Sequence, residues 1–434
     1  MSLPKKSRLS VMSIIDKLPK KLQSIVIKIT AEARLLLFRI ELTHVNHRNI
    51  PHPARVYWIS PQRIVYHTNY LRKEDTEAIP FACRVFTEKM RGAVVDGNWD
   101  MTNFKFTDLS VYEAFKRRIR DGAEWQDTEF YKVSLRVAES GGIFWGIEDR
   151  NDLDKRCKYF DSLIESIKNK GYRLNQYIST YDEIDVNIGR NGEYLFQNGV
   201  HRLSIAKILG IKYVPVTVFV RHKEWQEFRE FVFSYAQQQT KGKLCQPIVH
   251  PDLADVPYDL DALNCPDLMK AIKHHLGKER GIMLDIGANL GFFCHKFEDL
   301  GYHCYAVEQD PPTFRILEKI KIAENKKFEA INRSIFEVEF VKNMTFDVVL
   351  ALNTFHHFLK RKTELVQLKD LLKNMKMDQL FLGAHQYQDD QMKDAYANYT
   401  QTELVDFLAH HTSLSKFEVI YTAKNGGTIF RLSK

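Results

Sequence analysis

The chain is poor in cysteine and organises none of what it has. Its six cysteines, at positions 83, 157, 245, 265, 294 and 304 of 434, include no C-x-x-C pair and no regular spacing. That excludes a zinc-ribbon frame and a disulfide-stapled scaffold, and it fits reduced thiols. No apolar run approaches the about 20 residues that a membrane-spanning helix needs. Lysines and acids interrupt the apolar stretches at the start, so no signal-peptide pattern is expected there. There is no internal repeat and no extended low-complexity tract. The expected compartment is therefore the cytoplasm.

What is present is ordinary globular material. A hydrophobic share of 44% and an aromatic share of 12% suffice for well-packed cores, and the length suits two or three domains. A formal charge of +8 and a pI near 8.9 permit an anionic partner without demanding one. Lys5, Lys6, Arg8, Lys17, Lys20, Lys21, Lys28, Arg34 and Arg39 face only Asp16 and Glu32 within the first 40 residues of the segment 1–45. Apolar Val11, Ile14, Ile15 and Leu18 are interleaved with them. Such a basic amphipathic helix either packs on its own domain or lies against an anionic membrane surface.

The most informative stretch is 282–310. An apolar strand runs into a glycine-containing turn, a helix, and a second apolar strand that ends at Glu308, 21 residues after Gly287. This is the first β-α-β unit of a Rossmann-like parallel sheet laid out for a nucleoside. The acidic residue is placed to accept hydrogen bonds from both ribose hydroxyls. The turn is not the dinucleotide G-x-G-x-x-G, because Asn289 and Phe292 occupy its later glycine positions. Instead it reads Asp285-x-Gly287-x-Asn289-x-Gly291. Asp285 would repel a pyrophosphate but not a cationic sulfonium.

This pattern resembles motif I of class I S-adenosylmethionine-dependent methyltransferases. The resemblance implies a cofactor pocket shaped by Asp285, Gly287, Asn289 and Gly291, with Glu308 on the ribose. It implies adenine contacts near Asn332, Arg333 and Ser334. The strand beginning at Phe346 runs into Asn353-Thr-Phe-His-His357, where the methyl acceptor should arrive at the carboxyl end of a parallel strand. The Asn/Asp-Pro-Pro-aromatic tetrapeptide of enzymes that methylate exocyclic base amines is missing there. His356 or His357 could take a proton from an acceptor hydroxyl, since a free imidazole titrates near about 6.5. Asn353 would position the acceptor. Alternatively, proximity and orientation alone suffice.

The preceding region has its own signature. Residues 185–189 and 194–197 read as two strands joined by a hairpin turn at Arg190-Asn-Gly-Glu193. A helix over 201–209 follows, ended by Gly210, and a strand returns over Val214–Val220. Gly199, His201 and Arg202 at the helix start form a plausible phosphate cradle. With Ala206, Leu209, Gly210, Pro215 and Val216 they resemble the nucleotide-binding motif of the ParB/sulfiredoxin superfamily. Val200 stands where sulfiredoxins carry their cysteine, which sets sulfinic-acid reduction aside. The resemblance implies ATP or CTP as a second ligand. Related ParB-like sequences occur beside polysaccharide-biosynthesis enzymes, but no convincing helix-turn-helix follows in 223–250. Asp96, Asp100, Asp127 and Glu129 either hold a metal or sugar or serve as helix caps. Helices are expected over 109–121 and 151–170, the second turning Leu153, Tyr159, Phe160, Leu163 and Ile167 inward.

These readings combine into a basic segment (1–45), an α+β ParB/sulfiredoxin-like domain (46–237), a linker (238–258) and an α/β Rossmann-like methyltransferase domain (259–434). The expected acceptor is a sugar, glycan precursor or other small polar molecule, with no metal required. Two alternatives remain open. One is a ParB-like nucleic-acid-binding protein with an appended methyltransferase, and the other is an N-terminal small-molecule kinase or nucleotide hydrolase.

Overall fold

The computed structural model describes residues 49–68, 86–141, 147–173, 184–260, 264–424 and 426–434. The basic segment expected over 1–45 lies outside them. The chain divides into two compact units, Met1–Glu227 and Phe228–Lys434.

The first unit holds β1 (Val56–Ile59), β2 (Tyr66–His67), β3 (Val94–Val95), α1 (Ser110–Lys116), α2 (Glu129–Glu139) and α3 (Arg150–Lys170). Then come β4 (Ile184–Ile188), β5 (Tyr194–Asn198), α4 (Val200–Ile208), β6 (Val214–His222) and the start of α5 (Lys223–Gln238). The elements expected over 185–220 are all present. The sheet runs β1-β6-β4-β5-β2, with β3 beside β6. It is mixed: β4 is parallel to β6 and antiparallel to β5. The hairpin between β4 and β5 closes through Gly189 and Glu193, and Gly192 has φ +87°.

Helix α3 begins where expected, capped by Asp149, which accepts from the Asp152 amide. Its inward stripe is Leu153, Cys157, Phe160, Ile164 and Ile167, while Tyr159 is exposed. Strict i, i+4, i+7 spacing puts Tyr159 about 100° off that stripe, so the expected inward set was out of phase at Tyr159 and Leu163.

One charge pair sits inside this sheet. Both oxygens of buried Asp185, on β4, accept from the Arg91 guanidinium at 2.8 and 2.9 Å. Arg91 also lies 4.4 Å from the centre of the Phe219 ring, and the Thr217 hydroxyl bonds the same carboxylate. Bidentate geometry offsets the desolvation of both ions only while both partners remain.

The second unit continues from α5 through α6 (Cys265–His274), β7 (Ile282–Ile286), α7 (Phe292–Asp299), β8 (His303–Val307), α8 (Pro311–Ala323) and β9 (Glu329–Ile331). It ends with β10 (Thr345–Leu352), α9 (Phe355–Phe358), α10 (Lys362–Asn374), β11 (Lys376–Ala384), α11 (Gln401–His411), β12 (Lys416–Thr422) and β13 (Thr428–Ser433). Its sheet runs β12-β13-β11-β10-β7-β8-β9. Pairings from β9 to β11 are parallel, and β13 runs antiparallel to both neighbours. Apolar clusters cover both faces, so β7, β10 and β11 are nearly continuous hydrophobic runs.

Residues 238–258, expected as a linker, are built into this unit. Leu244, Gln246, His250, Asp252, Leu253 and Val256 are buried. Arg229 on α5 donates to the Asp252 carbonyl and pairs with Asp255. The prolines and glutamines suggested a tether, but Arg229 and the buried apolar residues pin the segment down.

Replacing Arg91 by Met should leave the Asp185 carboxylate buried without its cation, and so destabilise the first unit by about 3–5 kcal/mol. Urea denaturation of the two proteins measures it. A loss under about 1 kcal/mol would mean that the pair contributes little.

Candidate functional site

Strand order reverses between β7 and β10. The chain steps from β7 outward to β8 and β9, then returns to place β10 on β7's other side. Ligands of open α/β sheets bind outside the carboxyl ends of the strands at such a switch point. A cavity of about 660 Å³ lies there. Gly287, Asn289, Glu308, Asn353 and His357 line it. Asp285, Gly291, Ser334 and His356 do not, although Ser334's neighbours Arg333 and Ile335 do.

Each glycine of the turn answers to a different crowding. Gly287 has φ +73°, and a Cβ there would stand 2.6 Å from Oγ1 of Thr354. That hydroxyl donates to the Ile286 carbonyl at 2.8 Å, tying the β10 loop to the end of β7. Gly291 has φ +78°, and a Cβ would meet Leu317 at 3.1 Å. Gly291 therefore serves helix packing rather than ligand approach, which corrects its expected role. Asn289 takes φ +52°, a left-handed conformation that asparagine tolerates better than most residues.

Both carboxylate oxygens of Glu308 are held by backbone amides. One carboxylate oxygen accepts from the Asn289 amide at 2.9 Å and the other from the Asp310 amide at 2.8 Å. A carboxylate has about four lone-pair sites, so acceptor capacity remains toward the cavity. Burial raises its pKa, against the opposing backbone hydrogen bonds. Asp285 is buried behind the turn, where the Cys294 thiol donates to it at 3.7 Å. Burial first, and repulsion from Glu308 second, push it up to about 7. Two buried carboxylates that ionise reluctantly suit a cationic ligand, which would favour their charged forms. The residues present thus fit S-adenosylmethionine, with Asp285 acting at a distance rather than by contact.

The cavity wall also contains residues that motif reading missed. Phe231 and Tyr235 of α5 line it, as do Cys245 and Gln246 beyond. The Tyr235 hydroxyl lies 2.6 Å from that of Thr313, and Arg315 sits over the Phe231 ring at 4.5 Å. The Gln246 side chain accepts from the Phe292 amide at 3.3 Å, at the start of α7. The only sequence signal was the aromatic spacing on α5, which reads equally well as core.

The two loop histidines diverge. His357 faces the cofactor cavity, but its Nδ1 lies 3.4 Å from Nζ of Lys360. A lysine ammonium only donates, so that lone pair is already engaged. Burial, then the Lys360 charge, lowers its pKa. His356 is buried, stacks 4.0 Å from His357 and bonds Gln391 at 3.2 Å. Burial and the neighbouring charges push it down to about 3. Neither ring has the basicity expected of a general base.

In the first unit Gly199 opens α4 with φ +89°. His201 does not fit the expected anion site. Its ring packs 4.4 Å from Phe160 and 5.7 Å from Phe115, and burial pushes its pKa down to about 3. A neutral, stacked imidazole brings no charge to a phosphate. Three of the four candidate carboxylates are paired with cations. Asp100 pairs with Arg190 at 2.8 Å, Asp96 with Lys223 at 3.3 Å and Glu129 with Arg136 at 3.0 Å. The cap of α2 is Thr128, not Asp127 or Glu129. Among the described residues no group of three His, Cys, Asp or Glu side chains could hold a metal ion, and no helix is long and apolar enough to cross a membrane.

Residues 284–375 match the family model described as a methyltransferase domain. No curated protein sequence matches the chain. Among solved structures, the chain is similar to the bifunctional kinase-methyltransferase WbdD, with 16% identity over 46% of each chain and a TM-score of 0.36. It is also similar to the S-adenosylhomocysteine-bound N-terminal domain of EvdMO1, with 12% identity over 48% of this chain and 96% of that one, TM-score 0.37. A third is a putative S-adenosylmethionine-dependent methyltransferase from Methanococcus maripaludis, with 14% identity over 40% of this chain and 87% of that one, TM-score 0.32. The chain spans under half the length of WbdD. The second unit carries an S-adenosylmethionine-dependent methyltransferase domain.

Asp285 gives this site a pH signature. Its pKa is about 7 in the folded protein against an ordinary 3.8, so folding favours its protonated form. That stability is fully present below about pH 4 and is lost as the pH rises through about 7. Asp285→Asn should remove this component, flattening the fall in melting temperature of the cofactor-free protein between about pH 4 and 7. A variant that keeps the wild-type slope would place the titrating group elsewhere.

Proposed function

We propose that the chain transfers a methyl group from S-adenosylmethionine to an oxygen or nitrogen of a sugar, glycan precursor or other small polar acceptor. The observation that carries this reading is the position of Asn353. It sits at the carboxyl end of β10 with φ +57°, and it lines both the cofactor cavity and a second cavity of about 300 Å³. A donor site and an acceptor site sharing one wall residue is the arrangement that transfer between two small molecules requires. Asn353-Thr-Phe-His356 in place of a Pro-Pro tetrapeptide argues against a base amine as acceptor.

Bound S-adenosylmethionine supplies an electrophilic methyl group on a sulfonium centre. The chain's part is to orient the two reactants. Glu308 holds the ribose end, and the Asn353 amide orients the incoming nucleophile. Without a strongly basic imidazole beside the reacting atom, rate enhancement rests on proximity and orientation. The nucleophile's proton passes to solvent as the new bond forms.

For the first unit we propose a ParB/sulfiredoxin-like relationship, supported by the β4-turn-β5-α4-β6 order and by Gly199 in the left-handed conformation. A phosphate-bearing ligand such as ATP or CTP would rest there on the first-turn amides of α4 and on Arg202, without His201.

Incubation with methyl-labelled S-adenosylmethionine and extract separated into nucleic-acid, protein and lipid-or-sugar pools tests the acceptor class. Label should enter the sugar or small-molecule pool and be unchanged by nuclease treatment. Glu308→Gln should weaken cofactor binding roughly ten- to hundredfold, as expected for losing hydrogen bonds to a charged group. Label dependent on nucleic acid would overturn the acceptor reading. Unchanged affinity in the variant would overturn the role given to Glu308.

A further inference from the structure

A groove of about 790 Å³ opens at the amino ends of β10 and β11, in the second unit. The cofactor cavity lies at the opposite, carboxyl ends of the same parallel strands. The charge lining the groove is of one sign. Lys342, Lys373, Lys376 and Lys434 line it with His410 and His411, and no aspartate or glutamate does. They are gathered from the turn before β10, the junction of α10 with β11, the end of α11 and the residue after β13. All four lysines are exposed, so their ammonium groups can meet a ligand from solvent.

Counter-charge is scarce. Lys342 pairs with Asp370 at 2.7 Å and Lys434 with Asp378 at 2.6 Å, and neither carboxylate lines the groove. Asp378 is shared with Lys278 at 3.2 Å. Among the described residues neither Lys373 nor Lys376 has a salt-bridge partner. One exposed lysine is an ordinary solvated charge. Several around one concavity repel each other and focus a positive field within it. Helices α10 and α11 both end here, and free helix-end carbonyls would oppose an anion. Those carbonyls are already engaged. Asn374 donates to the Asp370 carbonyl, the Met375 amide to that of Leu371, Nδ1 of His411 to that of Phe407 and the Thr412 hydroxyl to that of Leu408.

We propose that this groove binds a compact polyanion of the di- or triphosphate class, whether inorganic or carried by a nucleotide. Lys373 and Lys376 hold it first. Lys342 and Lys434 can turn from their carboxylates to join them, because exposed ion pairs contribute little. Lysine suits the task as a point-charge donor to phosphate oxygens, needing no fixed geometry. The volume falls within the range of small-ligand sites. Apart from the two histidines no aromatic ring lines the groove, so stacked bases find no platform and the phosphates alone are read. The site shares no residue with the cradle at Gly199 and Arg202, and it stands independently of the methyl-transfer reading.

Calorimetric titration of the full chain at fixed ionic strength tests this, with inorganic tripolyphosphate, pyrophosphate, sulfate and metal-free ATP as probes. Tripolyphosphate should bind more tightly than pyrophosphate and roughly tenfold or more tighter than sulfate. ATP should match tripolyphosphate if only phosphates are read. Lys373→Gln/Lys376→Gln should lose one site or weaken it at least roughly tenfold, while Lys373→Arg/Lys376→Arg keeps it. The Gln pair should melt no lower than the wild type, since it loses only repulsion between exposed charges. An unchanged titration in the Gln pair would overturn the site. So would tripolyphosphate binding that Arg202→Ala abolishes entirely, which would place it in the first unit. A short DNA duplex or anionic phosphatidylserine vesicles that bind through Lys373 and Lys376, with tripolyphosphate silent, would also overturn it in favour of a polymer or membrane surface.

Discussion

The site depends on how closely three neighbouring parallel strands crowd at their carboxyl ends. β7 turns at Gly287, against Thr354. β10 ends at Asn353, and β11 passes it at Gly383, where a Cβ would stand 2.6 Å from the Asn353 amide nitrogen. That neighbour is backbone and cannot swing away. Two missing Cβ atoms thus allow the β10 loop to settle low between its neighbours. From there Asn353 reaches both cavities, Thr354 locks the loop to β7, and the following turn separates His356 from His357. Remove the close approach and the two cavities no longer share a wall.

Polarity within that geometry is set by side-chain amides. Asn and Gln can point either way in isolation, but each becomes a one-way device when one end meets a carboxylate or a carbonyl. Asp389 and the Tyr387 carbonyl fix Gln391 and Asn398 in this way, and the Nε2-protonated forms of His356 and His385 follow. The loop imidazoles His356 and His357 differ from the bases expected of a proton-transfer site because burial lowers their pKa. The same burial acts oppositely on the carboxylates behind the cofactor turn, raising Asp285 and Glu308. Burial thus opposes charge on the loop imidazoles and on the two carboxylates alike.

Local signals explain what the sequence revealed. Apolar runs of strand length, the Gly287 turn and Glu308 at the end of β8 gave the parallel β-α-β unit directly, because each is a contact within one short segment. The same holds for β4 through β6, where turn chemistry and a helix-opening glycine mark every boundary. Contacts between distant segments left no such mark. His385 lies beyond the matched motifs, and nothing local says that its ring meets His356. Gly383 and Gly291 look like ordinary glycines until the partners that crowd them are known. His201 was misread because its position suggested an anion, whereas its neighbours Phe115 and Phe160 come from helices far away in sequence.

The segment once taken for a tether has a practical bearing. Phe231, Tyr235 and Gln246 wall the cofactor cavity, yet all precede the point where motif-based parsing would begin the catalytic domain. A recombinant fragment cut at residue 259 would retain every signature residue of the cofactor motif. It would lack the aromatic wall and the glutamine that meets the first turn of α7. An inert fragment of that kind would say nothing about the intact enzyme. The smallest piece worth expressing starts upstream of Phe228, inside the helix that precedes the domain.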